Sequence, residues 1–457
     1  MPHIEETAHE IKALIGNQNA DYIEARLEST TSCRLSYRGR ELETVSQSSS
    51  IGGNIRVLYH GGWGFASFNR FDEIKNAMAR AIESARLAGS GQSRLAKIEP
   101  VVIKTTPPLH DPRNVTLTNK KELLDFYNET MWQEAPLSTS FIGYGDGYKT
   151  SIFLNSEGSY IEQSRADINL RVSAVAGKDG DVQQSGISLG STGDFNEVTG
   201  LEEQVRDISR KAVALLDAPR ARGGEYTVIL DPVLAGVFTH EAFGHLSEAD
   251  FVYENDRMRE IMTLGKAFGS DQLNIIDDGT MPGLRGSYRF DEEGVPSQKT
   301  YLIREGKLVG RLHSRETAAI MGEAPSGNAR AISYRHQPIV RMSNTYIEPG
   351  ETTFEEMLAD IKEGIYVKNW YGGTTSMEMF TFSGGEAYMI RNGQVEELLK
   401  PVVLSGNVFT TLHNIDAIGN DLDMNQGGGC GKGGQSPLPV SNGSPHIRLR
   451  KCLVGGQ

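Results

Sequence analysis

Twice in its first 219 residues the chain follows the same order: a helix, several strands, a helix. Apolar Ile4, Ala8, Ile11 and Ile15 recur at helical spacing over 4–16. Strand-like segments follow at 22–27, 33–37, 41–47, 51–59 and 64–68, with turns at Gly39 and Gly61-Gly62. A helix over 72–87 carries Ile74, Met78, Ala81, Ile82 and Ala85 on one side. A linker with Pro100, Pro107, Pro108 and Pro112 intervenes, and the order then repeats. A helix over 120–132 precedes strands at 138–143, 150–154, 160–163, 168–176 and 182–189, and a helix over 201–216 closes the unit. The pattern predicts an α+β domain over 1–219, built of two helix–antiparallel-sheet–helix units at about 1–90 and 115–219.

Arg220 to Glu225 reads as a boundary. Residues 226–230 form a short buried strand, and Asp231-Pro232 supplies an N-cap and first residue for the next helix. Beyond Leu273 the text is hairpin-like. Turn signals stand at Asp277-Asp278-Gly279, Arg304-Glu305-Gly306 and Arg391-Asn392-Gly393, with one helix at 353–362. Residues 220–457 are therefore expected to form a β-rich second domain, ending in a glycine-rich loop around Cys430.

The helix after Asp231 carries His240-Glu241-Ala242-Phe243-Gly244-His245. The spacing is one residue longer than H-E-x-x-H, in which two imidazoles on one helix face bind Zn²⁺ beside a general-base Glu. At roughly 100° per residue, an i,i+5 pair is offset by roughly 140° in an ideal α-helix. Three readings stay open from the residues alone. The string is chance; or Glu241 and His245, at i,i+4, are the helix ligands; or a π-bulge or break near Gly244 brings both histidines together. A third donor must come from elsewhere. Cys430 suits, because a thiolate is a strong zinc donor, glycines permit close backbone approach, and Lys432 could help keep the sulfur ionised.

Other strings exclude more than they suggest. Gly429-x-Gly431-x-x-Gly434 lacks the strand before it and the acid after it that a dinucleotide site needs. Gly431-Lys432 has no Ser or Thr after it, so it is not a P-loop. His60, His110, His313, His336 and His413 share no ligand spacing. A formal net charge of −13 argues against a nucleic-acid partner and an anionic membrane surface. No run of about 18 apolar residues is present, so no membrane partner is expected. The first residues show no signal-peptide pattern, and a cytoplasmic location is expected by default. Three cysteines give no disulfide framework.

Taken together, the strings His240–His245, Asp277-Asp278-Gly279-Thr280, Phe290 to Gly294, Ser326 to Arg330, Pro338 to Thr345 and Cys430-Gly431-Lys432-x-Gly434-Gln435 resemble the TldD/PmbA family of zinc peptidases, once described as modulators of DNA gyrase. The first 220 residues match mainly in layout. Leu246-Ser247-Glu248-Ala249-Asp250-Phe251 departs from the family's more usual Gly-Leu-Glu-Gly-Asp-Phe. The resemblance implies a TldD-like zinc metallopeptidase acting on short or unfolded peptides in an enclosed cavity. It implies His240, His245 and Cys430 as zinc ligands and Glu241 as catalytic base. It also implies a two-fold dimer, either a homodimer or a heterodimer with a TldE/PmbA-like subunit. Arg330 and Arg341 are candidate oxyanion or carboxylate binders, with a structural role as the alternative. An extended substrate could add as a strand to a free sheet edge of the β-rich domain. The rival functions are a non-catalytic binding subunit of a two-subunit peptidase and a zinc hydrolase of a non-peptide amide.

Overall fold

The computed structural model describes residues 2–89, 91–376 and 378–456. Helix α1 (Pro2–Ile15) is followed by strands β1 (Tyr22–Arg38), β2 (Glu41–Tyr59) and β3 (Gly62–Phe68), then helix α2 (Ile74–Ala88). A short strand, β4 (Val102–Lys104), lies in the proline-rich stretch. Helix α3 (Leu117–Glu134), strands β5 (Thr139–Asn155), β6 (Tyr160–Lys178) and β7 (Asp181–Ser191), and helix α4 (Glu202–Asp217) repeat the order. Strands from both halves join one seven-stranded sheet, ordered β3-β2-β1-β5-β6-β4 with β7 also paired to β6. Its pairings are antiparallel except that of β4 with β6.

Side chains alternate across a strand, so the odd positions of β1 share one face. Ile23, Ala25 and Leu27 pack there with Ile4 and Ile11 of α1 and Ala77 and Ala81 of α2. Farther along, Cys33, Leu35 and Tyr37 pack with Leu124 and Tyr127 of α3 and Val205 and Ile208 of α4. Both helix pairs therefore lie on the same side of the sheet. The even positions Glu24, Arg26 and Glu28 are buried too, against the second half of the chain. Arg56 on β2 bonds Glu24 and Glu293, each at 3.0 Å. Arg26 donates to the Ser333 carbonyl (2.8 Å), and Glu28 accepts from the Tyr334 amide (2.9 Å).

This corrects the strand boundaries expected from the sequence. The pairs 22–27 and 33–37, 41–47 and 51–59, 138–143 and 150–154, and 160–163 and 168–176 are each one continuous strand. The polar runs between them carry no apolar alternation, which is the sequence signal of a half-buried strand. A ladder needs only backbone partners, and the polar side chains bond across it, as Thr150 Oγ1 and Ser164 Oγ do at 2.9 Å.

In the second half, β8 (Gly224–Leu230) pairs with Glu363–Ser376 on one side and Ile447–Gly456 on the other. Val402–Asn407 and Met379–Arg391 complete a ring, because Met379–Arg391 pairs back onto Glu363–Ser376. Helix α5 (Pro232–Thr239) leaves β8 directly. Its Leu234, Ala235 and Phe238 enter the same core as Val228, Ile365, Phe380 and Phe382. A six-stranded sheet, with Ile275–Asp278 and Asn344–Ile347 at its centre, lies alongside. Asp277 and Asp278 end a strand there, and the turn expected at Asp277-Asp278-Gly279 begins only at Gly279. The buried Asp277 carboxylate accepts from Asn328 Nδ2 (2.9 Å), the Ser343 amide (2.8 Å) and Thr345 Oγ1 (2.8 Å). Three strings that lie far apart in sequence thus meet in one buried polar network. No helix among the described residues is long and apolar enough to cross a membrane.

Candidate metal centre

Asp231 starts α5 by accepting from the Leu234 amide at 2.9 Å, and it also accepts from the Asn369 amide at 3.0 Å. Burial pushes its carboxyl up to about 6, against the pull of those two amides. The α-helical pattern ends at Thr239. Residues His240–Gly244 form a π-turn, closed by the His245 amide donating to the His240 carbonyl. A π-turn places its hydrogen bond across five residues, so positions i and i+5 come over one another as i and i+4 do in an α-helix. The His240 and His245 rings have centroids 5.1 Å apart, with 81° between their planes. The i,i+5 spacing is thereby reconciled with a shared face.

Gly244 is the last residue of the π-turn, where the helix is expected to distort. Its backbone is helical (φ −56°, ψ −51°). A Cβ there would lie 2.1 Å from Met342 Sδ, so the residue is small to let the turn approach the core.

Cys430 also sits in more order than the glycine-rich text suggested. Gly429–Lys432 pairs antiparallel with Gln435–Pro439. Gly433 (φ 57°) and Gly434 (φ 73°) form the two-residue turn, where both central positions need positive φ. Arg341, fully buried, donates to the Cys430 carbonyl (2.7 Å) and the Gln435 carbonyl (3.2 Å). Arg330, equally buried, donates to the Met342 carbonyl (2.5 Å) and the Pro439 carbonyl (2.9 Å). Both guanidinium groups bond backbone carbonyls, which favours the structural role over binding of an oxyanion or carboxylate. Arg285 anchors the preceding loop. It holds Asp167 of β6 through Nε (2.6 Å) and Nη2 (3.1 Å), and donates to the Gly428 carbonyl (2.9 Å).

The structure brings all four sequence-predicted residues together. One ligand atom each from His240, His245 and Cys430 lies within 4.8 Å of the others. Cys430 Sγ stands 3.5 Å from His245 Nε2, and Glu241 Oε2 stands 4.0 Å from the same nitrogen. His240 and Cys430 are each 3% exposed, whereas the Glu241 and His245 side chains are partly open, at 31% and 26%. Two imidazoles and a thiol are a borderline-soft donor set of the kind Zn²⁺ accepts. His240 Nδ1 is buried with no hydrogen-bond partner among the described residues. A buried polar atom is rarely left so, and a cation held by these side chains fits the arrangement. Two cavities of about 360 and 340 Å³ are lined by other residues, Arg220 and Lys400 among them in one and Cys33 and Lys120 in the other.

Burial alone would push the Cys430 thiol up. His240, and after it His245, outweigh that and hold it at about 4. His245 is moved well up in return: burial opposes the charged ring, but the Glu248 carboxylate and Cys430 prevail. The two histidines, rather than Lys432, dominate at the thiol. Lys432 Nζ is bonded to Asp250 at 2.6 Å and Glu248 at 3.0 Å. Metal-free protein is therefore expected to keep Cys430 as thiolate at neutral pH and to lose it only as pH falls to about 4. Ultraviolet thiolate absorbance, with Cys430→Ser as the blank, measures this. A midpoint near the ordinary thiol value of about 8.5 would contradict it.

Sequence reasoning passed over Glu248 and Asp250. Glu248 Oε2 lies 3.0 Å from His245 Nδ1. A carboxylate three residues beyond a ligand histidine was the available signal, since ligating histidines commonly give their second N–H to a carboxylate.

Comparisons with known proteins cover nearly the whole chain. Residues 23–86, 110–216 and 223–456 match, in turn, domain 1, the central domain and the C-terminal domain of the PmbA/TldA metallopeptidases. A metalloprotease of Synechocystis sp. is 47% identical over 449 residues, covering 97% of each chain. A zinc metalloprotease TldD homolog of Saccharolobus solfataricus is 33% identical over 423 residues, covering 90% of this chain and 91% of its own. The crystal structure of TldE from Thermococcus kodakarensis shares the fold, with a TM-score of 0.80 at 18% identity over 98% of this chain and 100% of that one. On these matches the chain belongs to the PmbA/TldA metallopeptidase family.

Proposed function

We propose that this chain is a zinc metallopeptidase of short or unfolded peptides, with His240, His245 and Cys430 as ligands and Glu241 as general base. The observation that carries the reading is the convergence of one donor atom from each of the three ligands within 4.8 Å, beside the Glu241 carboxylate. Three protein ligands leave a place for water or substrate, as catalytic zinc sites require. Zinc in such a site supplies Lewis acidity, which acidifies water and polarises a scissile carbonyl. Glu241 takes the water proton on a carboxylate oxygen and returns it to the leaving amine. Its partial exposure lets substrate reach it, while burial of His240 and Cys430 keeps the donors out of bulk solvent.

In this reading residues 1–219, with repeats at about 1–90 and 115–219, form one domain, and residues 220–457 form a second that carries the metal site. The protein works in the cytoplasm as a two-fold dimer, with a second copy or with a TldE/PmbA-like subunit. Similarity of fold to TldE supports the second arrangement. Substrate adds to the Tyr371–Ser376 part of the strand Glu363–Ser376. Among the described residues no strand pairs with its second side, because β8 covers just Gly364–Val367, and the Asn369 and Trp370 amides before it are taken by Asp231 and the Asn369 side chain. Backbone N-methylation of a good peptide substrate should then raise its KM by about tenfold for one lost hydrogen bond to backbone. Equal cleavage of the methylated peptide would rule strand addition out.

The reading as a whole is tested with a mixture of unstructured peptides. Zinc-loaded protein should cleave them, a chelator should stop cleavage, and added zinc should restore it. Cleavage indifferent to metal removal would sink it.

A further inference from the structure

Cys430 and His245 come from segments far apart in the chain, and the fold must hold their donor atoms at a fixed distance. Around them runs a continuous polar chain. His245 Nδ1 meets Glu248 Oε2 at 3.0 Å. The Glu248 side chain is 1% exposed, so its carboxylate has no access to water and needs a counter-charge. That charge is the Lys432 ammonium, 3.0 Å away. Lys432 stands two residues beyond Cys430, on the same strand. Its remaining hydrogen bonds go to Asp250 Oδ1 (2.6 Å), Asp250 Oδ2 (2.8 Å) and the Val340 carbonyl (2.9 Å). Asp250 in turn accepts from the Val340 amide at 3.3 Å.

The consequence is geometric. Glu248, bonded at Nδ1, holds the His245 ring so that Nε2 faces Cys430 Sγ, 3.5 Å off. The same carboxylate, through Lys432, fastens the Cys430 strand to the segment that bears His245. One buried acid thus sets the orientation of one ligand and the distance to another.

We propose that Lys432 and Glu248 are positioning residues that act as a clamp, locking the His245 ring and the Cys430 strand into one metal-binding geometry. The clamp rests on the reading of His245 and Cys430 as metal ligands. It adds that metal affinity depends on a lysine and a glutamate that do not touch the metal.

The test uses full-length protein stripped of metal. Zinc affinity is measured by competition with a chromophoric chelator, and the cobalt(II) absorption spectrum reports ligand geometry. Wild type is compared with Lys432→Met, Lys432→Arg, Glu248→Gln and the Lys432→Met/Glu248→Gln double variant. Lys432→Met should weaken zinc binding by roughly 10- to 100-fold, as removal of a partner behind a ligating histidine does. It should also shift the cobalt thiolate band. Lys432→Arg should restore the wild-type band, because charge and reach are kept. The double variant should lose less than the product of the two single losses, because both act through one contact.

A folded Lys432→Met protein with unchanged affinity and spectrum overturns the clamp. Should that variant fail to fold, Glu248→Gln decides alone: it keeps shape and an acceptor for Nδ1–H, and an unchanged affinity and spectrum overturn the clamp equally. Wild type that binds neither zinc nor cobalt overturns the metal reading and the clamp with it. Wild type that binds both beside an unaffected Lys432→Met overturns the clamp alone.

Discussion

Glu241→Gln protein is expected to bind zinc as the wild type does and to hydrolyse peptides about 10²- to 10⁴-fold more slowly. The structure supplies the reason for both halves. Glu241 lies in the π-turn between the two histidines, yet its carboxylate is partly solvent-exposed and 4.0 Å from His245 Nε2. Among the described residues it makes no hydrogen bond that would mark it as structural. Replacing it with an amide of the same shape leaves the turn and the donor atoms in place and removes only a proton acceptor. Metal analysis, peptide-cleavage rates and a melting curve on the same preparation separate these effects. A variant that keeps more than a tenth of the rate would show that Glu241 is not the base. One that loses zinc would show that it is a ligand, the i,i+4 arrangement with His245.

Cys430→Ser carries the second large effect. Wild-type protein dialysed against a weak chelator is expected to retain one zinc per chain, and the variant to retain almost none and to cleave no peptide. Cys430 is held as a thiolate by two histidines, and a serine hydroxyl in the same place remains neutral and is a poor donor to zinc. The strand itself should survive, because Arg341 bonds the Cys430 carbonyl whatever the side chain. Stoichiometric zinc in the variant would remove Cys430 from the ligand set. Zinc in the wild type without any cleavage would favour the non-catalytic binding subunit.

Much of the site could be read from the sequence because its demands are local. Two histidines at i,i+5 can share a face only where a helix takes an extra residue into its turn, and the structure has a π-turn at His240–Gly244. Cys430 was legible as a donor because few other residues offer soft chemistry. What escaped was non-local. Nothing in the sequence around Glu24, Arg26 and Glu28 marks β1 as buried on both sides there. Arg26 meets the Ser333 carbonyl and Glu28 the Tyr334 amide, 307 and 306 residues away. For the same reason Arg330 and Arg341 could be read either as anion binders or as structural residues. A buried guanidinium that serves only carbonyl oxygens cannot be told from a binding one until the fold is known. Glu248 stood in plain view, but its importance depends on Lys432, which only the tertiary structure brings to it.

The ring of strands in the second half also orders events during synthesis. β8 needs Ile447–Gly456 as a neighbour, and these pair across almost the full length of their half of the chain. Pairings of such long reach form late, after the loss of chain entropy that brings their ends together. Cys430 lies just ahead of that final strand, whereas His240 and His245 leave the ribosome long before it. The donor set is completed at nearly the same moment as the scaffold around it. A nascent chain therefore holds two histidines and a glutamate without the third proposed donor. On the proposed reading, hydrolytic competence then waits for the ring of strands to close.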